Sequence, residues 1–267
     1  MEKSEKFNKK LFIDHLLITF PIMLICWGLC IVLGLNGITI SEHPWIFLPY
    51  GMGAWSTTIA SYIALKKNDE VTGFKDWLKN VFDFRHNGTL YIVAIGIAVL
   101  QALMMCILDG YEKVAPIYMI ILSLPIMFIG GGIEEVGWRY ITFPELDKKF
   151  GFFAAAIITG MIWALWHLPL FFIPGVNQYG RNFAVFTINV IGASFGLAAI
   201  RKAFSSVWLC ILCHMFINAI PEVFRYDLYG SYKAGIITTV VLIIVSSVIV
   251  RTCKTKNMID EGYNDVT

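Results

Sequence analysis

Charge is scarce in this sequence. Only 15% of its 267 residues are Asp, Glu, Lys or Arg, while 57% are hydrophobic and 15% aromatic. A soluble domain carries about 25% charged and about 45–50% apolar residues. Too few charged groups remain here to coat a soluble surface, which excludes an ordinary water-soluble enzyme. The apolar content excludes disorder. The six cysteines fall in or beside apolar runs, so no disulfide scaffold and no disulfides are expected. Lys and Arg number 21 against 19 Asp and Glu. With no basic stripe, nothing points to nucleic acid. Internal repeats and low-complexity tracts are also missing, which leaves one integral-membrane domain over 1–267.

What the sequence has is long apolar runs. They recur at roughly 11–35, 45–65, 89–109, 115–138, 152–173, 182–200, 204–224 and 232–251. One helical span needs about 20 residues, so eight use about 160 of the chain. The expected fold is all-α, a multi-pass transmembrane bundle of about eight spans in the cell membrane, in contact with lipid. The first run is too long for a signal-peptide core and lacks a small-residue cleavage site, so it reads as a retained anchor. Taking alternate loops from the N-terminal arm, 17 of the 21 Lys and Arg fall on one side and 4 on the other (Lys113, Arg181, Arg225, Lys233). Positive loops face the cytoplasm. Both termini are therefore expected there. Loop 66–88 carries Phe74, Trp77, Leu78, Val81 and Phe82 at helical spacing, the pattern of a short amphipathic helix in the cytoplasmic interface. A solvated linker is the alternative.

Ionisable groups at bilayer depth cost about 2.5–3.5 kcal/mol each even on insertion scales, and normally face a bundle interior. Three sets stand out: Glu134, Glu135 and Arg139 after a Gly130-Gly131-Gly132 run; Trp163 and His167; and His214 and Asn218. Asp14, His15 and Asp109 lie near predicted span ends, within reach of water. On one helix Glu134 and Glu135 point about 100° apart and so serve different purposes. Glu135 and Arg139 are i, i+4 in the favourable order, the spacing of an intrahelical ion pair, which leaves Glu134 to point elsewhere. The glycines before Glu134 admit a close helix neighbour. His214 and Asn218 share a face. Taken singly, these are a charged helix end and interhelical hydrogen bonds. Together they are the parts of one polar pocket.

Such a pocket suits amide hydrolysis. A carboxylate beside an imidazole can take a proton from water and return it to a leaving amine, and a second histidine with an amide can donate to an oxyanion. Glu134, His167 and His214 could instead hold a divalent metal such as zinc, with one position open for water. No contiguous His-Glu-x-x-His motif is present, so any metal site has to be assembled from separate helices.

Glu134-Glu135-x-x-x-Arg139, Trp163-x-x-x-His167 and His214-x-x-x-Asn218 together resemble the CPBP family of intramembrane proteases, which includes the CAAX prenyl endopeptidases and the bacteriocin-processing or Abi proteins. The motif block runs from about 130 to 218. Trp163 stands where the family usually has Phe, which keeps an aromatic ring but adds bulk and an indole N–H. The resemblance implies an intramembrane endopeptidase acting on a prenylated CAAX-like or leader-peptide substrate, that is, a peptide or lipidated protein. It implies that Glu134 and His167 activate water, that His214 and Asn218 stabilise the oxyanion, and that Glu135 and Arg139 support them. Family members are read both as metalloproteases and as metal-free glutamate proteases. Others confer bacteriocin immunity or act as signalling scaffolds, which keeps a non-catalytic role open. A proton-coupled transporter also uses intramembrane Glu and His, but transporters usually show repeated halves. Cys210-Ile-Leu-Cys213-His214 matches the c-type haem signature; its place inside an apolar span makes coincidence the better reading.

Overall fold

The computed structural model describes residues 6–264, with side chains over 6–253. The chain is helical almost throughout. The long helices are α1 (Lys9–Leu35), α5 (Gly88–Asp109), α9 (Phe152–His167), α10 (Phe183–Phe204) and α12 (Tyr232–Asn264). Between them lie α2 (Phe47–Ala54), α3 (Ser56–Lys67), α4 (Phe74–Val81), α6 (Met119–Gly130), the single turn α7 (Glu135–Gly137), α8 (Phe143–Phe150) and α11 (Val207–Ala219). Side chains start several of these helices. Asn8, Asn87, Asn182 and Ser206 each accept a hydrogen bond from a first-turn backbone N–H, as N-caps do. One two-residue antiparallel pair, Glu112–Lys113 with Phe224–Arg225, ties two loops together.

Among the described residues, five helices are long and apolar enough to cross a membrane. A sixth candidate is the bent pair Met119–Gly130 and Gly132–Phe150, broken by 42°. The second expected run is not one helix, because it breaks at Trp55 into α2 and α3. The seventh is a shorter apolar helix, Val207–Glu222. The protein is thus an all-α multi-pass membrane protein. Of the most apolar window, 72% is buried in α10 and 56% in α9, but only 28% in α1 and 33% in α5 and α12. The first two therefore form the centre, and the others present apolar faces outward, as lipid contact requires. Gly160 lets α9 meet α10, since a Cβ there would lie 3.1 Å from the Ser194 Cβ.

Polar contacts gather at two sets of loops. In one, Asn8 bonds Glu145, Lys10 bonds Asn68, Lys67 bonds Asp14, and Lys202 pairs with Asp147. In the other, Glu112 pairs with Arg225, Arg181 with Asp227, and Asn182 bonds Tyr232. Lys10, Lys67, Lys148 and Lys202 sit at the first set, and Arg181 and Arg225 at the second. Over loop 66–88, α4 is the short helix expected there rather than a linker. Its Trp77 and Val81 are buried, and the Trp77 indole donates to Ser61 on α3, while Phe74 stays exposed, so protein covers part of its apolar face. His15 departs from expectation. It is fully buried, with ring nitrogens 3.3 Å from the Thr57 carbonyl and 3.1 Å from the Thr142 hydroxyl. Helix packing around α1, rather than depth along it, sets its exposure.

Candidate active site

The site is built on the break after α6. Gly132–Glu134 forms a 3₁₀ turn, α7 follows, and Trp138–Thr142 is a π-helical turn. Segments of this kind recur at functional sites because they re-aim side chains. Gly131 is required by proximity, since a Cβ there would overlap the Asn218 amide nitrogen and lie 3.3 Å from His214 Nε2. The expected single span over 115–138 is therefore interrupted where the polar groups of α11 come closest.

Glu134 is 4% exposed and turns toward α9. Its Oε2 accepts a hydrogen bond from the Trp163 indole at 2.9 Å and lies 4.0 Å from His167 Nε2. His167 Nδ1 is 2.9 Å from the Trp163 carbonyl. A carbonyl only accepts, so Nδ1 carries the proton, and in the neutral ring Nε2 is left as an acceptor. The carboxylate and an imidazole lone pair thus face each other across a gap too long for a direct hydrogen bond.

Glu135 turns the other way. Arg139 Nε donates to its Oε2 at 2.8 Å, the ion pair expected from spacing. His214 Nδ1 lies 2.8 Å from its Oε1 and donates to it, a contact across 79 residues that spacing did not reveal. Arg139 is fully buried. Its two terminal nitrogens lie 3.2 and 3.3 Å from the Ser194 hydroxyl, which in turn donates to the Ala156 carbonyl. Ser194 carries no signal in the sequence beyond being a small polar residue in an apolar helix. Arg201 bonds the Arg139 carbonyl and so holds the π turn. A buried guanidinium and carboxylate satisfied in this way form a rigid base for the groups they touch.

Trp163 stands at the centre. Its ring meets His214 edge-on at 5.2 Å and His167 at 5.8 Å, and the Arg139 guanidinium lies 5.7 Å from its centroid. Glu134, Glu135, Arg139, His167 and His214 are therefore neighbours in one buried cluster, with the half-buried Asn218 beside His214 at Gly131. Among the described residues, no three His, Cys, Asp or Glu side chains are arranged to hold a metal ion. The indole is in contact with both imidazoles and with Glu134. Cys210 and Cys213 are buried free thiols, and the Cys210 Sγ lies 3.2 Å from the Ser206 carbonyl of its own helix.

Residues 115–220 match the family model described as Type II CAAX prenyl endopeptidase Rce1-like. Over 273 aligned residues the chain is 26% identical to CAAX prenyl protease 2 of Methanococcus maripaludis, covering 94% of this chain and 96% of that protein. The matched segment contains all three motifs. The resemblance to the CAAX prenyl endopeptidases is shown by these two matches together.

Proposed function

We propose that this chain is an intramembrane endopeptidase that hydrolyses a peptide bond in a membrane-associated substrate, a prenylated CAAX-like tail or a leader peptide. The observation that carries the reading is the pair of inward-facing acceptors, the Glu134 carboxylate and His167 Nε2, 4.0 Å apart. Two acceptors call for a molecule with two O–H donors. A water there gives one hydrogen to each and keeps a lone pair for the substrate carbonyl. On attack, the C–O bond forms as a proton passes to Glu134 with His167 assisting. The carbonyl oxygen becomes an oxyanion, and the proton then goes to the amide nitrogen as the C–N bond breaks. The products are a carboxylic acid and an amine.

His214 and Asn218 take the oxyanion. With Nδ1 donating to Glu135, a protonated His214 presents Nε2–H beside the Asn218 amide, both at Gly131. Glu135 and Arg139 hold that imidazole in place. Donors fixed in this way in a water-poor site are each worth about 10²–10³ in rate.

The test is hydrolysis of a fluorogenic prenylated CAAX-type peptide by the purified protein in lipid nanodiscs. The Glu134→Gln and His167→Ala variants should insert and fold but lose turnover, and in cells Glu134→Gln should cause one membrane precursor to accumulate. Full activity of both folded variants would refute the mechanism.

A further inference from the structure

The indole of Trp163 is placed as more than a wall. Its Nε1 lies 2.9 Å from Glu134 Oε2. Trp163 is 3% exposed, and its ring is gripped by both histidines and by the Arg139 guanidinium, so the N–H has little freedom to point elsewhere. Glu135, the neighbouring carboxylate, is already committed to Arg139 and His214. On the inward-facing side of Glu134, the indole is the donor within hydrogen-bond distance, because His167 at 4.0 Å offers an acceptor.

We propose that Trp163 is a positioning residue for hydrolysis: its indole N–H anchors Glu134 Oε2, fixing the rotation of the carboxylate so that it shares the reacting water with His167 Nε2. This rests on the reading of Glu134 as the group that activates water. The Trp163 carbonyl meanwhile holds His167 Nδ1. One residue thus sets both acceptors, the carboxylate by its side chain and the imidazole by its backbone. Replacing the side chain with another aromatic ring keeps the wall and the imidazole anchor and removes only the hold on Glu134. A carboxylate freed to rotate takes up the in-line geometry less often, which lowers turnover without weakening substrate binding.

The experiment replaces Trp163 by β-(3-benzothienyl)alanine, in which sulfur takes the place of the indole N–H in a ring of nearly the same shape. Trp163→Phe serves as a second variant, and Trp45→Phe, at an exposed ring, as the control. Steady-state kinetics on the prenylated peptide in nanodiscs should show kcat lower by about ten- to hundredfold, with KM unchanged within about twofold. Wild-type kcat in the benzothienyl variant overturns the proposal, even if Trp163→Phe is impaired, because shape alone would then account for the loss. A rise in KM at constant kcat also overturns it, since the indole would then be contacting substrate. Failure of the underlying reading looks different: Glu134→Gln would itself remain active.

Discussion

Removing the Arg139 guanidinium tests how the site is braced. Arg139 and Glu135 are both fully buried, and Glu135 holds two donors, Arg139 Nε at 2.8 Å and His214 Nδ1 at 2.8 Å. Arg139→Met keeps most of the side-chain length and leaves a carboxylate with its main counter-charge gone. Breaking a buried pair from one side costs about 3–5 kcal/mol. For a chain of this size that lowers the melting temperature by on the order of 10 °C. Converting both members, Glu135→Leu with Arg139→Met, removes the stranded charge. Apolar replacement of a whole pair is often neutral or stabilising by about 1–4 kcal/mol. The exception here is His214 Nδ1, which loses its acceptor at a cost of about 1–3 kcal/mol.

The double variant should therefore regain most of the stability that Arg139→Met loses. Its activity should not return, because nothing then holds His214 toward Gly131. Losing the carboxylate that orients a histidine costs on the order of 10²-fold or more in turnover. The assays are reversible unfolding in detergent, followed by tryptophan fluorescence, and peptide hydrolysis at 25 °C. If the double variant is as unstable as Arg139→Met, the stranded-charge argument is wrong. If it is stable and active, Glu135 does not position His214.

Other outcomes follow from single contacts. Gly131→Ala should leave the bundle folded but cut kcat at least tenfold, because the new Cβ takes the space of the Asn218 amide; a wild-type rate would remove Asn218 from the oxyanion site. His15→Ala should destabilise by about 1–3 kcal/mol, since it strands the Thr142 hydroxyl and opens a cavity beside the π turn; an unchanged unfolding curve counts against a structural role for that histidine. For topology we propose eight crossings with cytoplasmic termini. Phosphatase and fluorescent-protein fusions after Lys67, Lys149 and Lys202 should report as cytoplasmic, and those after Lys113 and Lys233 as external. One fusion on the wrong side defeats the count.

How much of this could be read from the sequence depends on which contacts are local. Glu135 with Arg139, and His214 with Asn218, are one helical turn apart, so backbone geometry alone put each pair on a shared face. The apolar runs announced the helices for a similar reason, since lipid demands length and hydropathy, and both are visible residue by residue. The bend at Gly131 was less legible. Three glycines signal a close neighbour, but only the arrival of Asn218 and His214 at that point decides that the chain breaks there. The contacts most telling for chemistry, Trp163 to Glu134 and His214 to Glu135, join residues 29 and 79 positions apart. No periodicity encodes them, because they depend on how helices rotate against one another. His15 shows the same limit from the other side. Its position near a helix end suggested water, yet packing against α3 and the π turn leaves it none. In a membrane bundle, then, sequence spacing finds which polar groups share a helix face. Only packing determines which faces meet, and a carboxylate such as Glu134 acquires its particular partners at that second step.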